Sequence, residues 1–168
     1  MLFCCTPPAD VHIVTYPKAG TSWLQEIAWL VNHGGDIDRA KGLPSGQRTH
    51  YIELQTESMS DRAVAVENLP QEHARHIKWH HCAFLLPQTM LAGKVIYLMR
   101  NPKDTAVSWF HFQRMNALYG FTGTFAEFLD EFIQDQVVYG TYFANVLSWW
   151  KLREVGPLVP FASALCIS

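Results

Sequence analysis

Several features that would assign a protein to a special class are scarce or absent in this sequence. It has four cysteines, at positions 4, 5, 82 and 166, which match neither a disulfide framework nor zinc-site spacing. Two prolines break the uncharged stretch 155–168, which is also shorter than the roughly 18 apolar residues of a membrane span. The amino terminus has no basic region followed by a long apolar run, unlike a signal peptide. These absences favour a reduced, cytoplasmic chain without a membrane segment.

An excess of charge of one sign is also lacking. Thirteen Lys and Arg residues against fifteen Asp and Glu residues give a net charge of −2. This balance argues against a bulk electrostatic nucleic-acid binder but allows a local anion site. Hydrophobic residues make up 49% of the 168 residues, which excludes general disorder and predicts a substantial core. Because no Gly-, Ser- or Pro-rich linker divides the chain, we interpret residues 1–168 as a single domain.

Units of a strand followed by a helix recur along the chain and predict an α/β fold with a mostly parallel sheet. Val11–Tyr16 and Lys94–Met99 are β-branched and apolar runs typical of buried strands. Caps and apolar stripes predict helices over Thr21–Asn32, from Pro102 after the Asn101 cap, after the Thr124–Glu127 capping box, and over Tyr142–Glu154. Residues 36–75 have no clear period and are expected to be loop with a short helix near residues 62–68.

The segment between the first strand and the first helix, YPKAGTSW, has the composition of an anion-binding loop. Gly20 lets the backbone approach a ligand, and the helix start offers unpaired N–H groups and the positive end of the helix dipole. Lys18 adds a cation, and Thr21 and Ser22 add hydroxyl donors. The lysine precedes the glycine, unlike in a Walker A loop, which argues against a P-loop nucleotide kinase. The alternative is an ordinary strand-to-helix turn with a solvated lysine.

A second candidate anion site follows the strand that ends at Met99. Arg100 comes directly after this strand, at the sheet edge where ligands of open α/β sheets bind, and Ser108 lies on the next helix. A guanidinium fork and a hydroxyl suit a second phosphate. For either residue alone, a surface arginine and a helix-interior serine are the simpler alternative.

Three motifs together resemble the cytosolic sulfotransferase family. One is YPKAGTSW, which is similar to the family's 5′-phosphosulfate loop YPKSGTTW. Another is RNPKDTAVSWFHF, which resembles the 3′-phosphate segment, and the third is IKWHHCAFLLP, which resembles I-K-T-H-L-P-x-x-L-L-P. They occur in family order and cover about residues 10–152. The resemblance implies a P-loop-like three-layer fold and transfer of a sulfuryl group from 3′-phosphoadenosine 5′-phosphosulfate (PAPS) to a small molecule, without a metal.

The resemblance also implies roles for individual residues. His80 would be the general base that takes the acceptor's proton, while Lys18 and Lys78 would offset developing charge. The residues implied to bind the nucleotide are Lys18, Ala19, Gly20, Thr21, Ser22, Trp23, Arg100 and Ser108. Trp23 would pack against the adenine. Trp109–Phe112 and Trp149–Trp150 are expected to pack their helices, with Phe110 or Phe112 near the acceptor pocket.

Nearby histidines allow an alternative interpretation, a zinc site among His73, His76, His80 and His81. It is disfavoured because no cysteine pair or acidic ligand completes a familiar spacing. His81 is expected to be a partly exposed loop residue, although the sequence does not decide whether it substitutes for His80.

The sequence departs from the family pattern around His80 and at both ends. Trp79, His81 and Cys82 stand where Thr, Leu and Pro are usual, and the lost proline removes a fixed φ angle beside the base. Residues 155–168 diverge, and neither the family's R-K-G-x-x-G segment nor its dimerisation motif occurs. We therefore expect a truncated member lacking the C-terminal part of the domain, either monomeric or associating non-specifically, whose apolar tail replaces a lost strand.

The resemblance and the departures from it lead to two functional hypotheses. The first is a PAPS-dependent sulfotransferase whose acceptor is a phenol, alcohol, steroid or amine. The second is a catalytically inactive fragment that at most binds the nucleotide or pairs with other chains.

Overall fold

A computed structural model of the chain describes residues 10–54, 74–86 and 88–153, together with the backbone of residues 162–163. Its five strands are β1 (Val11–Thr15), β2 (His50–Tyr51), β3 (His76–Trp79), β4 (Lys94–Met99) and β5 (Ala162–Ser163). They form one parallel sheet in the order β2-β3-β1-β4-β5. The predicted α/β class with a parallel sheet is confirmed.

Strand β1 lies at the centre of the sheet, between β3 and β4. Its Val14 pairs with Trp79 on β3 and with Tyr97 on β4. The three strands run in the same direction, so the segments that follow them leave from one edge of the sheet. This edge carries the YPKAGTSW loop after β1, His80 after β3 and Arg100 after β4.

The helices are α1 (Thr21–Asn32), α2 (Ile37–Gly42), α3 (Ser45–Arg48), α4 (Pro102–Met115), α5 (Phe125–Ile133) and α6 (Tyr142–Leu152). Short 3₁₀ segments cover Ile52–Leu54, Ala83–Leu85 and Gln88–Ala92. The Asn101 side chain caps α4 by accepting from the Lys103 N–H, and the Thr124–Glu127 capping box of α5 is formed. The four predicted helices are present, and α6 ends two residues before the predicted limit. The helix predicted near residues 62–68 lies outside the described residues.

Alternation along β1 places core residues on both faces of the sheet. Val11 and Ile13 pack with Leu24 of α1 on one face. Val14 packs with Trp149 of α6 on the other face. Helices thus cover the sheet from two sides, which confirms the predicted three-layer architecture. In the described part of the chain, no helix is long and apolar enough to cross a bilayer.

The predicted tail strand is found, and the predicted aromatic packing is found for Trp109, Phe110 and Trp149 but not for Trp150, which is exposed. Trp109 and Phe110 of α4 are buried with Phe128 and Phe132 of α5 in one aromatic cluster. At the far edge of the sheet, the backbone of β5 pairs in parallel with β4, with Ala162 opposite Leu98. The diverging tail therefore adds a strand to the sheet, as expected.

Candidate functional site

The loop after β1 leaves the start of α1 open to an anion. Lys18 and Gly20 have left-handed φ angles of 66° and 115°, and a Cβ atom on Gly20 would lie 3.1 Å from Leu98 Cδ2. Both the φ angle and the lack of space require glycine at position 20. No side chain caps the first turn of α1, so its N–H groups are available to a bound anion.

A cavity of about 550 Å³ opens at this edge of the sheet. Its lining includes nine of the ten residues that the resemblance implied, namely Lys18, Gly20, Thr21, Ser22, Trp23, Lys78, His80, Arg100 and Ser108. Trp23 is 73% exposed, so its ring is accessible for stacking. The structure thus brings the three sequence motifs to one place.

Ala19 is the implied site residue that the cavity lining does not include. Its N–H donates to the Tyr16 carbonyl over 3.1 Å, and its methyl group is buried in the aromatic cluster. The implied contact between Ala19 and the nucleotide stays a prediction, while the turn uses the backbone donor of Ala19 and the core takes its side chain.

Two lysine ammonium groups lie over aromatic rings at the cavity. Lys18 Nζ is 4.4 Å from the centroid of the Phe112 ring, and Lys78 Nζ is 3.9 Å from that of Tyr51. Burial lowers the pKa of both lysines; the Arg100 charge lowers that of Lys18 further. Of the two phenylalanines expected near the acceptor pocket, Phe112 lines the cavity, whereas Phe110 is buried in the aromatic cluster.

Arg100 completes a cluster of three cations. Its Nη1 donates to the Lys18 carbonyl over 3.1 Å, which ties the end of β4 to the loop after β1. Among the described residues, none of Lys18, Lys78 and Arg100 forms an ion pair with a carboxylate. Such a cluster suits a ligand with several negative charges.

His80 is almost fully buried, with 7% of its surface exposed at the cavity. Its Nδ1 lies 2.8 Å from the Thr15 carbonyl oxygen and 3.2 Å from Thr15 Oγ1. Since a carbonyl only accepts, Nδ1 carries the proton and Nε2 holds the free electron pair. Burial and then the Lys78 charge lower the pKa of His80 to about 3, so the ring is neutral at physiological pH. This is the form that a general base requires.

A hydroxyl pair connects the anion loop with His80. Thr21 Oγ1, in the first turn of α1, lies 2.6 Å from Thr15 Oγ1. Thr15 in turn contacts the His80 ring through both its hydroxyl and its carbonyl group. The loop and the histidine are therefore positioned by the same residue at the end of β1.

Sequence reasoning missed the side chains that surround the His80–His81 backbone. Glu53, from the stretch without a clear period, accepts from both N–H groups. Asn145 and Trp149 of α6 donate to the two carbonyls. One signal was available: Asn145 is a polar residue on the otherwise apolar side of a predicted helix, and such residues are buried only with hydrogen-bond partners.

The other histidines do not join His80. His81 is half-buried and its ring centroid is 5.3 Å from that of Tyr139. His76 Nε2 lies 2.9 Å from Asn32 Nδ2, on the side of the sheet that α1 covers. His73 lies outside the described residues, and within the described ranges no group of His, Cys, Asp and Glu side chains could hold a metal.

A second cavity, of about 490 Å³, lies between α6 and the 3₁₀ segments. Its lining is apolar apart from Ser148 and Lys151. It therefore lacks the proton acceptor and the cation cluster of the first cavity, which we take as the candidate active site.

The fold and the cavity define an α/β protein in which three cationic side chains and a neutral histidine line one site. The sulfotransferase domain family model matches residues 8–159, and the chain belongs to this family. It is 39% identical over 155 residues to sulfotransferase 1B1 of Mus musculus, covering 90% of this chain and 51% of that relative. It is 36% identical over 154 residues to sulfotransferase 1A1 of Bos taurus, covering 90% of this chain and 52% of that relative.

Solved structures agree with this assignment. Mouse sulfotransferase SULT7A1 complexed with PAP is 35% identical with a TM-score of 0.68, over 92% of this chain and 50% of that one. Retinol dehydratase in a complex with retinol and PAP is 26% identical with a TM-score of 0.75, over 92% of this chain and 54% of that one. The chain spans about half the length of the relatives it matches.

Proposed function

We propose that this chain transfers a sulfuryl group from PAPS to a hydroxyl or amine of a small molecule, with His80 as the general base. The observation that carries the proposal is that a neutral His80 and the cations Lys18, Lys78 and Arg100 line the same cavity. Two relatives of similar structure were solved with PAP, which supports a ligand of this kind here.

The proton moves from the acceptor to His80 Nε2 as the acceptor's oxygen or nitrogen attacks sulfur. The bond between sulfur and the bridging oxygen breaks, and that oxygen keeps the electron pair on the phosphate. Lys18 offsets this negative charge, while Lys78 offsets the charge on the transferred group. The Thr15 carbonyl, which accepts from Nδ1 over 2.8 Å, stabilises the imidazolium that forms. Positioning and charge account for most of the catalysis in related phosphoryl transfers.

The remaining implied contacts hold the nucleotide. Arg100 and Ser108 bind the 3′-phosphate, and the loop at Gly20 binds the 5′-phosphosulfate. Trp23 offers its exposed ring to the adenine.

Aromatic side chains line the part of the cavity around His80. The rings of Tyr51 and Tyr139 meet the His80 ring edge-on, with centroid distances of 5.3 Å and 5.5 Å, and Phe112 is also in the lining. Such walls favour a flat apolar acceptor that carries the reacting hydroxyl at one end. Phenols fit this description best, and aryl amines have the same flat shape with an amine in place of the hydroxyl, while steroids and other alcohols share only the terminal hydroxyl.

A second candidate is a chain that binds the nucleotide without turnover and pairs with another chain. It is favoured by an exposed apolar stripe on α1, where Trp23, Ile27 and Val31 are 73%, 53% and 74% exposed. The cytoplasmic location and the oligomeric state expected from the sequence stay predictions.

Binding and turnover separate the two candidates. The melting temperature of the chain should rise as PAP is added. At a PAP concentration of 100 times Kd, the free energy of unfolding should increase by about 2.7 kcal/mol. With PAPS and a phenol, the wild type should form product. His80→Ala should abolish turnover while changing PAP affinity less than about twofold, and the matched control His111→Ala, at an exposed position on α4, should change neither. Binding without turnover supports the second candidate, and no binding contradicts both.

Arg100 provides a test of the nucleotide contacts. Arg100→Ala should weaken binding of PAP much more than binding of adenosine 5′-phosphate, because only PAP carries the 3′-phosphate. Equal weakening of the two ligands would contradict the assigned contact.

A further inference from the structure

Side chains satisfy all four backbone polar groups of the His80–His81 dipeptide. The His80 N–H donates to both Glu53 carboxylate oxygens over 2.9 Å and 2.8 Å, and the His81 N–H donates to Glu53 Oε1 over 2.8 Å. Asn145 Nδ2 donates to the His80 carbonyl over 2.8 Å, and Trp149 Nε1 to the His81 carbonyl over 3.1 Å. Backbone groups are usually paired with other backbone groups, so this short segment depends on side chains for its position.

Glu53 contributes most of these contacts at an energetic cost. Burial raises the pKa of its carboxyl, while the two N–H donors and the charges of His81 and Lys78 lower it. Glu53 forms no ion pair with any residue that the structure describes, and burying such an acid to satisfy two N–H groups costs free energy. In return, hydrogen bonds to a carboxylate are shorter and stronger than those to a neutral acceptor.

The position of Glu53 also connects two parts of the cavity. It lies in the 3₁₀ segment Ile52–Leu54, directly after β2, which ends at the cavity-lining Tyr51. The same short segment therefore supplies a wall of the cavity and holds the backbone of His80.

We infer that Glu53 is the positioning residue of the base: its carboxylate fixes the backbone from which the His80 ring extends, so that Nδ1 stays on the Thr15 carbonyl and Nε2 stays available to the cavity. This inference rests on the proposed function in taking His80 as the base. Glu53 itself touches neither substrate nor transferred proton. Misplacement of a reacting group by about 1 Å can cost roughly a hundredfold in rate, which sets the expected effect.

Histidine side-chain NMR tests the inference without requiring turnover. In the wild type, His80 should show a single Nδ1–H tautomer that stays neutral to below about pH 5, as its low pKa requires. Glu53→Leu, which is similar in size but accepts no hydrogen bond, should give mixed tautomers and a higher His80 pKa. Glu53→Gln keeps one acceptor oxygen and should give a smaller change in the same direction. PAP affinity should change less than about twofold in both variants.

Turnover supplies a second readout where the wild type is active. Glu53→Leu should lower kcat by about 10- to 100-fold with little change in the KM of the acceptor. The matched control is Glu127→Gln, which removes another carboxylate that accepts a backbone N–H, from Thr124 over 2.7 Å, in the capping box of α5. It should leave the His80 signals unchanged.

The outcomes are distinct. An unchanged His80 tautomer and pKa in Glu53→Leu overturn the inference, even if kcat falls. If that variant fails to give a cooperative melt, Glu53→Gln decides, and wild-type His80 signals in it overturn the inference. A wild type that shows the predicted tautomer and its dependence on Glu53, but forms no product, would contradict the proposed function while supporting the positioning role.

Discussion

Three histidines in and beside the sheet predict that the fold loses stability in mild acid. Burial is the main cause that lowers the pKa of His12 and His76 to about 4 and that of His80 to about 3, from an ordinary value of 6.5. Because each folded-state pKa lies below the unfolded value, the unfolded chain binds protons first as the pH falls. The stability contributed by the neutral rings is therefore present above pH 6.5 and is lost as the pH falls toward 4.

The size of this effect follows from the same values. At about pH 5, protonation of the unfolded chain favours unfolding by about 2 kcal/mol for each ring and by about 6 kcal/mol for all three. Glu53 acts in the opposite direction, because burial raises its pKa, whereas His50, whose pKa burial lowers, acts in the same direction as the three rings. Domains are stable by about 5–15 kcal/mol, so a loss of about 6 kcal/mol would bring a chain at the lower end of that range close to its unfolding midpoint at about pH 5.

Urea unfolding followed by tryptophan fluorescence, at about pH 7.5 and about pH 5, measures the effect. His12→Asn removes one titrating ring while keeping an acceptor for Trp79 Nε1, which donates to His12 Nδ1 over 2.9 Å. This variant should lose about 2 kcal/mol less than the wild type between the two pH values. The control His111→Gln, at an exposed position, should behave like the wild type. A free energy of unfolding that changes by less than about 1 kcal/mol in the wild type would refute the reasoning.

Three further predictions concern single positions around the site. Gly20→Ala should cost about 1–3 kcal/mol and weaken PAP binding, because φ is 115° and the new Cβ would lie 3.1 Å from a neighbouring side chain; calorimetric binding equal to the wild type would count against it. Asn145→Ala should lower the free energy of unfolding, measured in urea, by about 2–4 kcal/mol, since it removes the hydrogen-bond partner of the Tyr97 hydroxyl and of the His80 carbonyl. Cys82→Pro should raise the free energy of unfolding by about 0.4–1 kcal/mol, because φ at Cys82 is already −60°; a lower melting temperature would show that the position does not accept proline.

The features that the sequence predicts best depend on residues that are close together in the chain. The Asn101 cap and the Thr124–Glu127 capping box each join residues two or three positions apart. Their hydrogen bonds depend on local spacing alone, so the helix starts at Pro102 and Phe125 follow from the residue types. The position of Gly20 is predictable for the same reason, since a left-handed φ angle is a local property.

The features that the sequence does not reveal depend on residues far apart in the chain. β2 has two residues and becomes a strand only because β3 lies beside it, so it has no alternation of its own to detect. Glu53 is 27 positions from His80, and Asn145 is 65 positions from it. Their roles follow from the way α6 and the segment after β2 pack around the end of β3, which no local pattern encodes.

The register of the central strands connects the hydrophobic core with the chemistry of the site. Val14 of β1 pairs with Trp79 of β3, so the next residues, Thr15 and His80, come side by side and the Thr15 carbonyl meets His80 Nδ1 over 2.8 Å. A shift of β3 by one residue would exchange the side chains that face the two halves of the core and would bring a different residue opposite Thr15. The burial pattern that selects one register thus also selects the tautomer of His80. Packing in the middle of the sheet and a free electron pair on Nε2 at its edge are therefore consequences of the same strand pairing.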